Sequence, residues 1–165
     1  MKEARPTSGL VAQALFNILG PAEERSFLDL FAGSGKIGLE AFKRGFSPVY
    51  FVELSRKNAD EIETRAGGGE KRVLRMDVRR SFAYFGNKGL VFDVVFADPP
   101  YCSGWAARMG SLKSRLSGII KGGGFLVLEH SKREIPDPAS WKEWIVSSRQ
   151  YGETVLSIFQ KKLKG

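Results

Sequence analysis

The chain has one cysteine and one histidine, and each scarcity removes a class of chemistry. Cys102 alone cannot close an internal disulfide. One Cys with one His falls short of the ligands that a zinc site requires, so metal chemistry through these side chains is not expected. Long apolar runs are also missing. None approaches the ~20 residues needed to cross a bilayer, and the opening "MKEARPTSG" lacks the apolar stretch of a secretory leader. The expectation is a cytoplasmic protein without a membrane partner. No repeat or low-complexity linker interrupts the 165 residues, a length that suits one domain with a sizeable core. A single domain over residues 1–165 is expected, with residues 1–20 as a helix packed on it.

An acidic surplus is absent as well. Lys and Arg number 26 against 18 Asp and Glu, a formal charge of +8. That balance favours a polyanionic partner such as nucleic acid, because a positive field and released counterions both promote association. The plainer reading is a solvated surface ending in the basic "KKLKG".

What the chain does contain is an alternation of apolar runs with helix-period segments, the pattern of βαβ units around a mainly parallel sheet. "RPTS" offers Thr7 or Ser8 as a helix cap, followed by Val11, Ala14, Leu15 and Ile18 on one face. Gly20-Pro21 stops that helix. Strands are expected at 26–31, 49–53, 72–76, 89–97 and 122–129, and helices at 36–44 and 55–66. Trp105, Met109, Leu112, Leu116 and Ile119 step by 4, 3, 4, 3, which predicts one continuous helix with these side chains in the core and not in a ligand pocket. "WKEWIVSSRQ" and "TVLSIFQKK", joined by "YGE", predict a closing antiparallel hairpin, although the first segment can also begin as a helix.

"LDLFAGSGKIG" places Gly33, Gly35 and Gly38 between a strand and a helix in a G-x-G-x-x-G turn, with Glu53 ending the next strand. The glycines let backbone approach a ligand, the helix start offers free amides, and an acid in Glu53's position can take two ribose hydroxyls. A dinucleotide and S-adenosylmethionine satisfy these features equally. Three further features favour the second. Asp29, inside the first strand, suits a cationic amino group better than a pyrophosphate. Asp77, after the third strand, can accept from an adenine amine. "DPPY", after the fourth, has no role in hydride transfer. A P-loop is excluded because Lys36 is followed by Ile and position 30 is Leu. Each acid alone could merely cap a helix or turn. Their common position at strand carboxyl ends, where open α/β sheets bind ligands, points to a site.

"FADPPY" (96–101) ends the fourth strand with two prolines, which lack amide donors and have fixed φ. An exocyclic purine amine is a poor nucleophile because its lone pair is conjugated with the ring, so it needs positioning. The Asp98 side chain and the carbonyl before the prolines can accept both amine hydrogens. Pro99 and Pro100 hold those acceptors still. Tyr101 offers a face for an unstacked base. Without the glycine turn and the other acids, the same segment would read as a rigid turn. His130, after Glu129 at the end of the fifth strand, reads as hydrogen-bonded structure, and Cys102 as a small side chain without a base partner.

"RPTSGLVAQALFNIL", "FLDLFAGSGKIGLEAFKRG", "VYFVE", "MDV", "FADPPY" and "YGETVLSIFQ" resemble, in that order, the RsmD-type ribosomal RNA methyltransferases, which methylate guanine N2 in small-subunit rRNA. The resemblance covers nearly the whole chain. It implies a Rossmann-like class I methyltransferase fold, a mostly parallel seven-stranded sheet with a C-terminal antiparallel hairpin and helices on both faces. The cofactor it implies is S-adenosyl-L-methionine, held by Asp29, Phe31, Ala32, Gly33, Ser34, Gly35, Glu53, Leu54, Asp77, Val78 and Asp98. Asp98, Pro99, Pro100 and Tyr101 would hold the target base. RNA, as small-subunit rRNA or the small ribosomal subunit, is the implied partner of a monomeric enzyme. The family usually carries a longer extension before "RPT"; here the start of the chain and Gly9, Leu10, Ala12 and Gln13 predict a reduced RNA-docking surface. Lys36 stands where a small residue is more typical.

Two other functions fit the same residues. "DPPY" serves a DNA adenine-N6 methyltransferase equally well, although such enzymes generally carry a further segment to read the major groove. An inactive nucleic-acid-binding module would keep the fold alone. Arg and Lys at 71, 72, 75, 79, 80, 108 and 115 are candidates for phosphate contact in any of the three.

Overall fold

A computed structural model describes residues 8–164. Seven strands form one sheet: β1 (Phe27–Asp29), β2 (Val49–Glu53), β3 (Lys71–Arg75), β4 (Phe92–Ala97), β5 (Ile120–Ser131), β6 (Trp144–Tyr151) and β7 (Thr154–Lys161). Their spatial order is β3-β2-β1-β4-β5-β7-β6. β1 to β5 pair in parallel, and β7 runs antiparallel between β5 and β6. The last strand of the chain therefore sits inside the sheet, and β6 forms the edge.

Alternation along the strands creates two cores. Phe27, Val49, Phe51, Val94, Phe96 and Val127 face one side, where α1 (Ser8–Leu19), α2 (Lys36–Lys43) and α3 (Arg56–Ala66) cover them with Leu15, Phe16, Ala41 and Ile62. Leu28, Val52, Val95, Leu126 and Leu128 face the other, under α4 (Val78–Asn87), α5 (Trp105–Ser111) and α6 (Lys113–Ile119). Near-continuous apolar strands are what a sheet covered on both faces requires. Thr7, one of the two candidate caps, lies outside the described residues.

Helix α4 has no counterpart among the expected elements. Val78, Phe82 and Phe85 are buried on one face, a period interrupted in the sequence by Arg79, Arg80 and Gly86. The stripe from Trp105 to Ile119 is two helices and not one, broken at Leu112. Ala106, Met109, Leu116 and Ile119 are buried, whereas Trp105 and Leu112 are only partly so. β4 begins at Phe92 and not at Gly89, because the Leu90 N–H still donates to the Phe85 carbonyl of the preceding helix, at 2.9 Å. The "WKEWIVSSRQ" segment does not begin as a helix: the 3-10 turn Pro138–Trp141 precedes it and ends on its first residue, and β6 follows from Trp144.

Glycine is needed where α2 crosses the sheet. A Cβ on Gly38 would lie 2.3 Å from a ring carbon of the fully buried Phe51, so only a bare backbone lets the helix come this close. This close crossing brings the helix start over the end of β1.

Candidate active site

The carboxyl ends of β1, β2, β4 and β5 and the chain just beyond β3 open into one cavity of about 960 Å³, the size range of sites for cofactors and small ligands. After Asp29 the chain still bonds to both neighbours, Leu30 N to Phe96 O at 2.9 Å and Ala32 N to Val52 O at 3.0 Å. It then turns sharply, with Gly33 at φ 56° and Gly35 at φ 79°. Glu53 braces this turn. One carboxylate oxygen accepts from Gly33 N at 2.5 Å and the other from Ser55 N at 2.9 Å.

Asp29 is buried at the bottom. Oδ2 accepts from Gly38 N at 3.1 Å, while Oδ1 is buried with no hydrogen-bond partner. Burial pushes its carboxyl up to about 8; nearby Asp98, Glu53 and Glu129 add to the rise, and the Gly38 amide opposes it. A carboxylate so placed is completed by a cation with N–H donors. The ammonium of S-adenosylmethionine meets that description, and the cradle of Phe31, Ala32, Gly33 and Ser34 beside Glu53 and Leu54 lines the same cavity. Gly35 lies buried beneath, where a Cβ would meet Ile62 at 2.8 Å.

The loop after β4 divides its residues. Asp98 and Pro100 line the cavity, and Pro99 is buried. The Tyr101 hydroxyl lies 2.8 Å from Thr154 Oγ1 at the start of β7. The Ser103 hydroxyl donates to the Pro100 carbonyl, and Cys102 takes φ 57°, which closes the loop onto α5. Trp105 then emerges in the cavity wall, edge-on to Phe31 at 5.1 Å between ring centres. Its expected place in the core is thus corrected: as the first residue of α5 it sits at the rim, where a helix stripe runs out of sheet to cover.

Asp77 and Val78 also line the cavity. Asp77 is the N-cap of α4, its Oδ1 accepting from Arg79 N at 2.8 Å, and it pairs with the Arg79 guanidinium at 2.9 and 3.1 Å. That side chain first of all holds the Asp77 carboxyl below the usual range. A second recess of about 520 Å³ adjoins, lined by Leu54, Arg75, Met76, Asp77, Arg79 and Arg80, so the mouth beside Asp77 is basic.

Glu129, Lys36 and Asn58 line the cavity without having been expected there. Glu129 carried a signal, since it ends the strand expected at 122–129, although β5 itself runs on to Ser131; Lys36 and Asn58 read as solvated helix positions. His130 is buried, with Nε2 2.7 Å from Ser157 Oγ and Nδ1 2.8 Å from Ser131 O. Burial lowers its pKa, and it faces away from the site as structure. Among the described residues no group of His, Cys, Asp and Glu is arranged to hold a metal ion.

The family model described as conserved hypothetical protein 95 matches residues 1–160. The chain belongs to that family. It is 32% identical over 143 residues to the ribosomal RNA small subunit methyltransferase D of Haemophilus influenzae, covering 83% of this chain and 74% of that one. A hypothetical protein of Thermus thermophilus superposes with a TM-score of 0.79 at 30% identity, over 99% of this chain and 91% of the other. The 16S rRNA N2 G1207 methyltransferase RsmC of T. thermophilus, solved with AdoMet and guanosine, shares the fold at a TM-score of 0.75 and 22% identity, over 98% of this chain and 44% of RsmC. The chain thus has the mostly parallel seven-stranded sheet, with its antiparallel C-terminal hairpin, that the resemblance implied.

Proposed function

We propose that the chain is an S-adenosylmethionine-dependent methyltransferase acting on the exocyclic N2 of guanine in small-subunit rRNA. The observation that carries this reading is the shared cavity: a buried carboxylate with one oxygen unsatisfied, Asp29, faces the same space as Asp98 and Pro100. The names of the relatives support the RNA substrate, and the net charge of +8 suits it. The reading takes residues 1–165 as one catalytic unit, monomeric and cytoplasmic, with the rRNA or the small subunit as partner. Among the described residues no helix is long and apolar enough to cross a membrane.

When bound, S-adenosylmethionine supplies a methyl group on a cationic sulfur, given up to a nitrogen lone pair while the C–S electron pair returns to sulfur. Asp29 would hold the cofactor's ammonium, and Glu53 the ribose. The glycine turn brings backbone close to the cofactor, and Asp77 and Leu54 flank the adenine end. Asp98, with its own carbonyl, would accept the two N2 hydrogens and turn the lone pair toward the methyl group. Its carboxylate also favours the positive charge that grows on nitrogen and takes the proton that N2 sheds. Pro99, buried, and Pro100, at the wall, fix that acceptor. Trp105, and Tyr101 from its anchorage on Thr154, offer aromatic surface to a base drawn out of its helix.

Replacing Asp98 by Ala is expected to lower methyl transfer to unmodified small-subunit rRNA by at least ~100-fold while calorimetry finds cofactor affinity changed less than severalfold. Full activity in this variant would reject the mechanism.

A further inference from the structure

Just beyond β4 and near the end of β5, two acids stand at neighbouring register positions. Ala97 pairs with Leu128 in the parallel register, so the next residue on each chain is an acid, Asp98 and Glu129, on strands about 4.8 Å apart. Both line the cavity. Glu129 lies opposite Leu156 of β7, which belongs to the core beneath α1 and α2. Its carboxylate therefore stands on the same face of the sheet as Asp29, and its charge contributes to the rise of the Asp29 pKa. At 8% exposure it is almost fully enclosed. The cluster is built for a ligand and not merely acidic: within it Asp29 Oδ1, buried and facing the cavity, has no hydrogen-bond partner.

We infer that Glu129 selects guanine over adenine as the base this site accepts, an inference that rests on the methyltransferase reading above. Asp98 and its carbonyl use both hydrogens of an exocyclic amine, and that much is common to guanine and adenine. The bases differ at the ring nitrogen beside the amine. Guanine carries N1–H there, a donor; adenine carries a lone pair. A carboxylate can only accept. Glu129, next to Asp98 in the register, takes the guanine N1–H, whereas adenine in the same pose sets a lone pair against acceptor oxygens. Leaving such a group unmatched in an enclosed site costs more than a missing bond. Cytosine, with a lone pair at N3 beside its amine, is rejected for the same reason. The pair of acids thus reads a run of three N–H donors that guanine alone presents.

Glu129→Gln is the decisive variant, because an amide of the same shape can donate to adenine N1. Wild-type protein, Glu129→Gln and Glu129→Asp are incubated with labelled S-adenosylmethionine and a small-subunit rRNA transcript, alone and assembled with small-subunit proteins. The methylated nucleosides are then separated by mass spectrometry, and cofactor affinity is measured by calorimetry. Wild type is expected to yield N2-methylguanosine. In Glu129→Gln, kcat/KM for guanine should fall about ten- to hundredfold and the share of N6-methyladenosine should rise, with cofactor affinity within about twofold. Glu129→Asp, which keeps the charge, should keep guanine as its only product. An unchanged guanine rate and product ratio in Glu129→Gln overturns the inference. So does an equal loss of all product in Gln and Asp variants, which would make Glu129 structural, and so does N6-methyladenosine from wild type. No methylated nucleoside from wild type in either presentation would instead overturn the methyltransferase reading itself.

Discussion

Tyr101 reaches across the sheet to Thr154, their hydroxyls 2.8 Å apart, and ties the loop that carries Asp98 to the first residue of the one antiparallel strand. Thr154 is fully buried, so this anchor is rigid. It also explains what the inserted strand β7 contributes to a site otherwise made of parallel strand ends. It supplies a fixed post on the far side of β5 for a loop that two prolines have already stiffened.

Removing the anchor without changing its shape should therefore loosen the target base and leave the cofactor in place. Thr154→Val deletes one hydrogen bond worth about 1 kcal/mol, so kcat/KM for RNA should fall roughly fivefold. Tyr101→Phe should match it, and the double variant should fall no further than either single one, since both remove the same bond. Cofactor affinity by calorimetry should stay the same in all three. Additive losses would show that the two hydroxyls act separately.

Asp29 makes a prediction in pH. Its folded pKa is raised to about 8 from an ordinary 3.8, chiefly by burial, with Asp98, Glu53 and Glu129 adding to it. Between these values the folded protein holds a proton that the unfolded chain has released, so stability falls as pH rises through that window and levels off above 8. The slope approaches about 1.4 kcal/mol per pH unit. His130, whose pKa is lowered by burial, works in the opposite sense but only below its ordinary 6.5. Denaturant melts between pH 6.5 and 8 should consequently show wild type losing stability relative to Asp29→Asn, which has no proton to hold. Over the same range a cationic cofactor must expel that proton, and its affinity should climb up to tenfold per pH unit, a climb absent in Asp29→Asn. Parallel curves for the two proteins would refute this account of the buried carboxyl.

Strands β1, β2 and β4 were legible because each is a short apolar run with an acid at its end or just after it, and burial on both faces demands such runs. Val49–Glu53 has the bounds its sequence shows. Legibility failed where tertiary packing, and not local pattern, decides. α4 buries Val78, Phe82 and Phe85 despite the arginines and glycine among them. The stripe through Trp105 and Leu112 has perfect helical spacing, yet the chain breaks at Leu112 so that α6 can feed β5, and Trp105 is left on the cavity wall. In the site, residues that precede a turn or end a strand were readable from position. Lys36 and Asn58 were not, because a helix turned toward a cleft has the same composition as one turned toward water. Glu129 was overlooked beside the more conspicuous His130, which proves to bond inward to Ser157.

Asp77 was, like the other acids, open to a plain structural role, and the structure gives it one, as cap of α4 and partner of Arg79. Both of its oxygens already accept from Arg79, at 2.8, 2.9 and 3.1 Å, so an adenine amine arriving from the cavity competes with that guanidinium. Three substitutions separate the roles. Asp77→Asn keeps a good cap and should leave stability within ~0.5 kcal/mol while weakening cofactor binding severalfold, through loss of the charged acceptor. Asp77→Ala should lose about 1 kcal/mol of stability as well, from the uncapped helix. Arg79→Ala removes an exposed pair that contributes little to stability and frees the carboxylate, so cofactor affinity should rise by a few-fold while binding of RNA weakens. Denaturant melts and calorimetry on the three proteins provide the comparison. Unchanged cofactor affinity in Asp77→Asn and in Arg79→Ala together would reduce Asp77 to a cap, leaving the adenine to be held by Leu54, Val78 and the backbone between them.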